Sequence, residues 1–314
     1  MFDYLIEKIK KADFEISPYK HIYIENFFNE SDFNEIIKSN QNLIENVNND
    51  EALFEKLESS GYKIIEFPGC ITDKKRYMKW RENQEIRKHN TCESAGMTLR
   101  LAIFKEQIMK SLNEFFTGEE FNRAISEKFG IDIKECNIDG GIQKYLDGYE
   151  ISPHPDIRRK ALTFMVNINP NIESEKLDHH TRYCTLKNKR KYVEEFWMHN
   201  ENVERCWIPW DWCDVNKIQS KNNSIVIFSP NNSTIHAVKA NYDHLKGQRT
   251  QLYGNLWYKK NDKLLKREWE KLDIIKDTEK NYSKKVTLKD NIKKIIPDNI
   301  KSKFKNKTLK RNIQ

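Results

Sequence analysis

The chain has 314 residues, of which 38% are hydrophobic and 32% charged, with 55 Lys and Arg against 47 Asp and Glu and a formal net charge of +8. That is enough apolar material for one substantial core, as in a β-barrel-like single domain. It excludes a membrane-spanning helix, because no apolar run approaches the ~18 to 20 residues that span a bilayer. Six cysteines (Cys70, Cys92, Cys136, Cys184, Cys206 and Cys213) are scattered without a C-x-x-C pair, which points to reduced thiols and not to a disulfide framework.

Met1 to Lys11 place acids among apolar positions and lack a cleavage-like site, so they read as a helix and not a signal peptide; a cytoplasmic location is expected. Residues 1–130 are expected to form a mainly helical support with a few strands. Lys20 to Phe27 alternate like a strand, and Ser31 is placed to cap a helix running through Leu43. Thr117-Gly-Glu-Glu120 has capping-box spacing, for a helix that stops at Gly130.

Residues 131–258 carry short β-branched runs, read as the barrel, interrupted by an insertion over about 171–221. The insertion holds Trp197, Trp207, Trp210 and Trp212 with Tyr183, Tyr192 and Phe196, either as a lid or binding wall or as a seal on the core. A zinc site from His179, His180, Cys184 and Cys206 or Cys213 is conceivable there, although the spacing matches no familiar zinc module.

Residues 259–314 are expected to form a helical, basic tail. From Lys284 onward eleven Lys or Arg stand against Asp290 and Asp298, a net of 11 minus 2, or +9, so the body is near neutral. Leu288, Ile292, Ile295 or Ile296, Ile300 and Phe304 recur at three- and four-residue intervals, on a helix that Pro297 breaks or restarts. A basic helix with an apolar stripe suits peripheral contact with an anionic membrane through residues 284–314. A tail docked on its own domain, a disordered end or a nucleic-acid arm are the other readings.

The most informative residues lie in the barrel region. Tyr145-Leu-Asp-Gly-Tyr-Glu-Ile-Ser-Pro-His154-Pro-Asp156 is answered downstream by Ser-Thr-Ile-His236-Ala-Val and then by Gln-Arg249-Thr-Gln-Leu-Tyr. Strand residues two apart share a face, so His154 and Asp156 are placed to bind one metal, with His236 as a third ligand. Two imidazoles and a carboxylate are what a non-haem Fe(II) oxygenase needs. Gln143, Tyr145 and Gly148 precede the first ligand, Ala161 to Asn169 follow as a strand, and Asn223 to Pro230 read as the turn and strand before His236. The remaining histidines, His21, His89, His179, His180, His199 and His244, have no comparable context.

This ordered set resembles the 2-oxoglutarate and Fe(II)-dependent dioxygenase superfamily, most closely its prolyl-4-hydroxylase-like branch, over about residues 140–258. The resemblance implies an α+β fold with a double-stranded β-helix (jelly-roll, cupin-like) core and flanking helices. It makes His154, Asp156 and His236 the Fe(II) ligands and Arg249 the clamp on the distal carboxylate of 2-oxoglutarate, for which its fork of donors is suited. Lys246 is the rival clamp. The family often has a hydroxyl residue two positions after the Arg; Gln251 stands there, and Tyr145 is the substitute hydroxyl.

The implied reaction consumes O2 and 2-oxoglutarate, with ascorbate as reductant, and hydroxylates a C–H bond while releasing succinate and CO2. Asp156 argues against halogenation, since such enzymes have Gly or Ala there. The absence of a second arginine soon after Arg249 argues against nucleic-acid demethylation. The substrate is unidentified: a small molecule, a sugar or lipid-linked intermediate, or a protein side chain. The alternatives are a non-catalytic metal-binding β-barrel protein and a cupin-type metal-dependent hydrolase or isomerase.

Overall fold

A computed structural model describes residues 1–67, 70–83, 96–200 and 203–259; the basic tail, His89 and Cys92 lie outside the described residues. The N-terminal part is helical where apolar residues recur at three- and four-residue intervals. Helix α1 (Tyr4–Lys11) buries Leu5 and Ile9, α5 (Gln107–Thr117) buries Ile108, Met109, Leu112 and Phe116, and α6 (Glu119–Phe129) buries Phe121, Ala124 and Ile125. Between them lie β1 (Ile22–Glu25), α2 (Glu30–Lys38), α3 (Asp50–Ser59), β2 (Tyr62–Ile64), α4 (Lys74–Glu82) and β3 (Thr98–Leu101).

Two expected caps are different. Helix α2 is capped by Asn29, whose side chain accepts from the Asp32 amide, and it ends at Lys38; Ser31 lies inside it. Thr117 closes α5 by donating to the Asn113 carbonyl at 2.8 Å, and Gly118 is the uncapped start of α6. The second helix begins so soon after the first that the threonine oxygen is already spent on the preceding turn. Gly130 does end α6, with φ 71°, a left-handed conformation that glycine adopts without steric cost.

The strands that follow are β4 (Cys136–Tyr145), β5 (Glu150–His154), β6 (Lys160–Asn167), β7 (Thr181–Leu186), β8 (Cys213–Ile218), β9 (Ser224–Phe228), β10 (His236–Lys239) and β11 (Arg249–Tyr258), with α7 (Tyr192–His199) between β7 and β8. They form two antiparallel sheets, a seven-stranded one in the order β1-β9-β6-β11-β4-β3-β2 and a four-stranded one in the order β5-β10-β7-β8. The result is a jelly-roll-type sandwich with flanking helices. The expected insertion over 171–221 is corrected by this pairing: β7 and β8 are full members of the smaller sheet, and the excursion is confined to residues 187–212.

The larger sheet is buried on both faces, and side-chain alternation decides what each face does. Leu162, Phe164 and Val166 of β6 and Leu252 and Leu256 of β11 join Phe116 and Phe121 in the main apolar core under the helices. The alternate residues, Thr163 and Met165 of β6 and Arg249, Gln251, Tyr253 and Asn255 of β11, are also buried but belong to the opposite face. At Gly254 a side chain would meet the Phe164 ring at 2.1 Å, so glycine lets the aromatic core close over β11. Among the described residues no helix is long and apolar enough to cross a membrane.

Candidate metal centre and anion pocket

His154 ends β5 and His236 begins β10, and the two strands are paired with these residues directly opposite each other. A register irregularity just after His236 re-aims that end of β10, as bulges next to functional sites do. Their ring centroids are 4.3 Å apart, and the rings of Trp207 and Phe228 flank them at 4.9 and 5.0 Å. Asp156 lies beyond the end of β5 with φ 80°, so it joins His154 through a turn and not by strand alternation. One donor atom from each of the three residues lies within 4.8 Å of the other two, and among the described residues this is the only such group.

The hydrogen bonds fix which nitrogen faces inward. His154 Nδ1 meets the Ser152 carbonyl at 2.8 Å and His236 Nδ1 meets the Thr234 carbonyl at 3.0 Å. A carbonyl only accepts, so both Nδ1 atoms carry the hydrogen and both Nε2 atoms present lone pairs. Those Nε2 atoms stand 3.8 and 3.7 Å from the two oxygens of Asp156. Burial pushes His154 down to about 3, helped by His236, and lowers His236 as well, so both rings are neutral at physiological pH. Burial opposes ionisation of Asp156, but the Lys160 ammonium and the two imidazoles outweigh it and hold the carboxyl below the usual range. Neutral imidazoles and an ionised carboxylate are the protonation states in which these groups bind a divalent metal.

Asp156 is also held from outside the trio. Lys160 Nζ donates to its Oδ1 at 2.6 Å and Thr163 Oγ1 to its Oδ2 at 3.0 Å, while Lys160 also donates to the Tyr253 hydroxyl at 2.9 Å. The sequence reading missed both residues. Thr163 was findable as the one polar residue in Ala-Leu-Thr-Phe-Met-Val. Lys160 was not, because a register shift opposite Trp257 turns it to the inner face against the alternation.

Arg249, at the start of β11, is 2% exposed and donates through Nη2 to Thr181 Oγ1 at 3.0 Å and to Gln251 Oε1 at 2.9 Å. Its guanidinium lies 4.5 Å from the Tyr145 ring centroid, and its Nη1 is buried without a hydrogen-bond partner. Lys246 is 76% exposed at its side chain and pairs with Asp243 at 3.1 Å, which removes it as the rival. The amide of Gln143 accepts from Arg100 and donates to the Tyr145 hydroxyl at 2.6 Å, leaving that hydroxyl's own hydrogen available. Thr181, another residue sequence reasoning overlooked, belongs to β7.

His154, Asp156, His236, Arg249, Gln251 and Tyr145 all line one cavity of about 530 Å³, walled by Trp207, Tyr253 and Trp257. Of the four insertion tryptophans only Trp207 reaches it. Trp197 is buried under the Arg158 guanidinium, Trp210 donates to Glu150, and Trp212 packs beside Tyr192. The conceivable zinc group does not assemble: Cys184, Cys206 and Cys213 pack in an apolar cluster with Val193 and Ile208, whereas His179 lies against Tyr242. His244, given no role from sequence, is fully buried, accepts from the Asp147 amide and meets Asp50 at 2.6 Å.

No family profile matches the sequence, and a search of curated proteins finds no match. Solved structures do resemble the fold. A prolyl-4-hydroxylase of Pseudomonas putida aligns over 82% of this chain and 100% of its own at 8% identity and a TM-score of 0.42. A prolyl hydroxylase of Trichoplax adhaerens, solved with a hypoxia inducible factor peptide, aligns over 82% and 88% at 11% identity and a TM-score of 0.35. The epimerase SnoN, solved with Fe3+, alpha ketoglutarate and nogalamycin RO, aligns over 87% and 97% at 9% identity and a TM-score of 0.37. At these scores the likeness fixes neither chemistry nor substrate, which rest on the residues themselves.

Proposed function

We propose that the chain is an Fe(II)- and 2-oxoglutarate-dependent oxygenase on a double-stranded β-helix, with the mainly helical residues 1–130 as support of a core over 131–258 and as the source of three further strands of the larger sheet. The strand order of the two sheets supports the fold reading. One observation carries the functional reading: a buried neutral-His, neutral-His, carboxylate trio shares its cavity with a buried arginine whose Nη1 has no partner. Two imidazoles and one carboxylate leave the other positions of a metal open, which is the donor set of non-haem Fe(II) oxygenases. An orphaned, buried guanidinium nitrogen in the same pocket implies an anionic ligand, since an unsatisfied buried charge-bearing donor is costly. A hydrolase or isomerase of the same donor set has no need of it.

In this reading His154, Asp156 and His236 hold Fe(II), and Arg249 binds the far carboxylate of 2-oxoglutarate, joined by the Tyr145 hydroxyl. Bound iron supplies oxygen activation coupled to decarboxylation of 2-oxoglutarate, giving succinate and CO2 and by default a hydroxylated product. The protein's own contribution is positional. The Ser152 and Thr234 carbonyls fix the imidazole tautomers, and Lys160 and Thr163 fix the carboxylate. Thr181 and Gln251 hold the guanidinium fork, and Trp207, Tyr253 and Trp257 keep the cavity largely apolar.

Succinate formation from 2-oxoglutarate with Fe(II), O2 and ascorbate, measured without any substrate, tests the reaction class. Turnover above a metal-free control is expected, and its loss in His236→Ala ties it to this site. Metal binding with no 2-oxoglutarate binding would instead favour the metal-binding barrel or cupin-type hydrolase.

A further inference from the structure

Arg100 of β3, Gln143 of β4 and Gln251 of β11 lie side by side in one row across the inner face of the larger sheet, and Tyr145 and Arg249 stand in the next row. A guanidinium donates hydrogen bonds and never accepts them. Arg100 brings Nη2 to 2.7 Å and Nε to 3.1 Å of the Gln143 amide, so the end of the amide that faces it is the oxygen. With the amide reversed, donors would face donors. The nitrogen end therefore faces Tyr145 and donates to its phenolic oxygen at 2.6 Å. The remaining nitrogen of Arg100, Nη1, donates to Asp139 Oδ1 at 3.0 Å and so anchors the guanidinium on its far side. Gly141, between Asp139 and Gln143 on the same strand face, leaves the space that the arginine stem crosses; a Cβ there would meet Arg100 Cδ at 3.1 Å.

The direction of donation passes from Arg100 to the phenol. Burial raises Tyr145 well above the ordinary tyrosine value, so the hydroxyl keeps its hydrogen, and with its oxygen already accepting from Gln143 that hydrogen points elsewhere. The hydroxyls hydrogen-bonded to Arg249 are already committed: Thr181 donates to Met165 Sδ at 3.8 Å and Tyr242 to the Tyr145 carbonyl. Gln251 is committed as well, its Oε1 to Arg249 and its Nε2 to Asn167 Oδ1 at 2.7 Å. Tyr145 holds its ring 4.5 Å from the guanidinium and keeps a hydrogen for a ligand.

We propose that Arg100 is a positioning residue for the cosubstrate: acting through Gln143, it fixes the Tyr145 hydroxyl so that the phenol presents its hydrogen, and not a lone pair, to the anion held by Arg249. This rests on the oxygenase reading, in which that anion is the far carboxylate of 2-oxoglutarate. Without Arg100 the Gln143 amide is free to turn its oxygen toward the phenol, which then donates to the glutamine and meets the carboxylate with lone pairs.

The test is a double-mutant cycle read by calorimetry on the full-length protein, with Mn(II) titrated first and 2-oxoglutarate second. If the wild type binds no 2-oxoglutarate, the oxygenase reading falls and this one with it. With wild-type binding established, Tyr145→Phe is expected to weaken 2-oxoglutarate about 10- to 100-fold, the worth of a hydrogen bond to a charged group. Arg100→Met should weaken it at least about fivefold in the wild type but less than about twofold in the Tyr145→Phe background, where no hydroxyl is left to direct.

An equal loss from Arg100→Met in both backgrounds would overturn the proposal, because the guanidinium would then act on the ligand by its charge alone. Wild-type affinity in Tyr145→Phe would overturn it too, while leaving Arg249 as the clamp. The proposed metal ligands lie on β5, on the turn after it and on β10, away from Arg100, so an unchanged Mn(II) titration shows that a variant has folded. Should Arg100→Met lose Mn(II), Arg100→Gln, which is neutral and has no fixed direction of donation, takes its place in the cycle.

Discussion

Replacing Arg249 by Met separates what the guanidinium does for the ligand from what it does for the fold. Nη2 is held by Thr181 and Gln251, Nη1 is free, and among the described residues no carboxylate pairs with the charge. Burial lowers the affinity of this guanidinium for its proton, which is to say that the ligand-free protein carries a cost for keeping it charged. If 2-oxoglutarate relieves that cost, Arg249→Met should lose about 2 to 5 kcal/mol of cosubstrate binding, or about 30-fold to several thousandfold in Kd. The same variant should unfold at a temperature no lower than the wild type, because two hydrogen bonds of about 1 kcal/mol each are offset by removal of a buried charge. Calorimetric titration of 2-oxoglutarate into Mn(II)-loaded protein and thermal unfolding of the metal-free protein give the two numbers. Unchanged cosubstrate affinity would refute the clamp; a steep fall in melting temperature with unchanged affinity would make Arg249 a structural residue.

Asp156→Asn should abolish tight Mn(II) binding and, by stranding the Lys160 ammonium, destabilise the metal-free protein by about 3 to 5 kcal/mol. Asp156→Asn combined with Lys160→Met should regain most of that stability without regaining metal, as read by denaturant unfolding and metal titration. Lys144 is fully buried, donates to the Asn42 carbonyl and to Thr250 Oγ1, and is lowered by burial to about 7. Its folded value lies below the ordinary 10.5, so the unfolded chain holds the extra proton between those limits, and stability from this group rises with pH across that window. Lys144→Met should therefore lack a slope of up to about 1.4 kcal/mol per pH unit above pH 7 that the wild type shows in unfolding free energy. Gly254→Ala should cost about 1 to 3 kcal/mol, because the new methyl meets the Phe164 ring inside the aromatic core; a variant as stable as the wild type in denaturant unfolding would show that the ring can yield.

His154, His236 and Arg249 were legible because each sits in a short β-like run with its own spacing, and Asp156 by its place two residues after His154; the structure brings all four to one cavity. The strand alternation on β11 was legible too, from Arg249 through Tyr253. What the sequence concealed was pairing. Thr181 looked like part of an insertion because the polar runs around β7 and β8 carry no alternation strong enough to mark them as strands of the smaller sheet. Lys160 was hidden by a register shift that depends on the partner strand, and the joining of Asp156 to His154 depended on a positive φ that a regular strand does not have. The caps at Ser31 and Thr117 failed for a local reason: a better-placed Asn29 in one case, and a preceding helix that claims the threonine in the other.

The left-handed backbone at Asp156 bears on how readily this centre can be altered. Most L residues at φ 80° are strained, whereas glycine is at ease there. Asp156→Gly would therefore strip the only carboxylate from the trio with no backbone penalty, and would leave the Lys160 ammonium next to the freed coordination position. A small anion such as chloride or azide is what a metal so flanked would accept in its place. On the proposed reading, the turn after β5 would let the acidic ligand be exchanged without backbone strain, the cost falling instead on the stranded Lys160 ammonium.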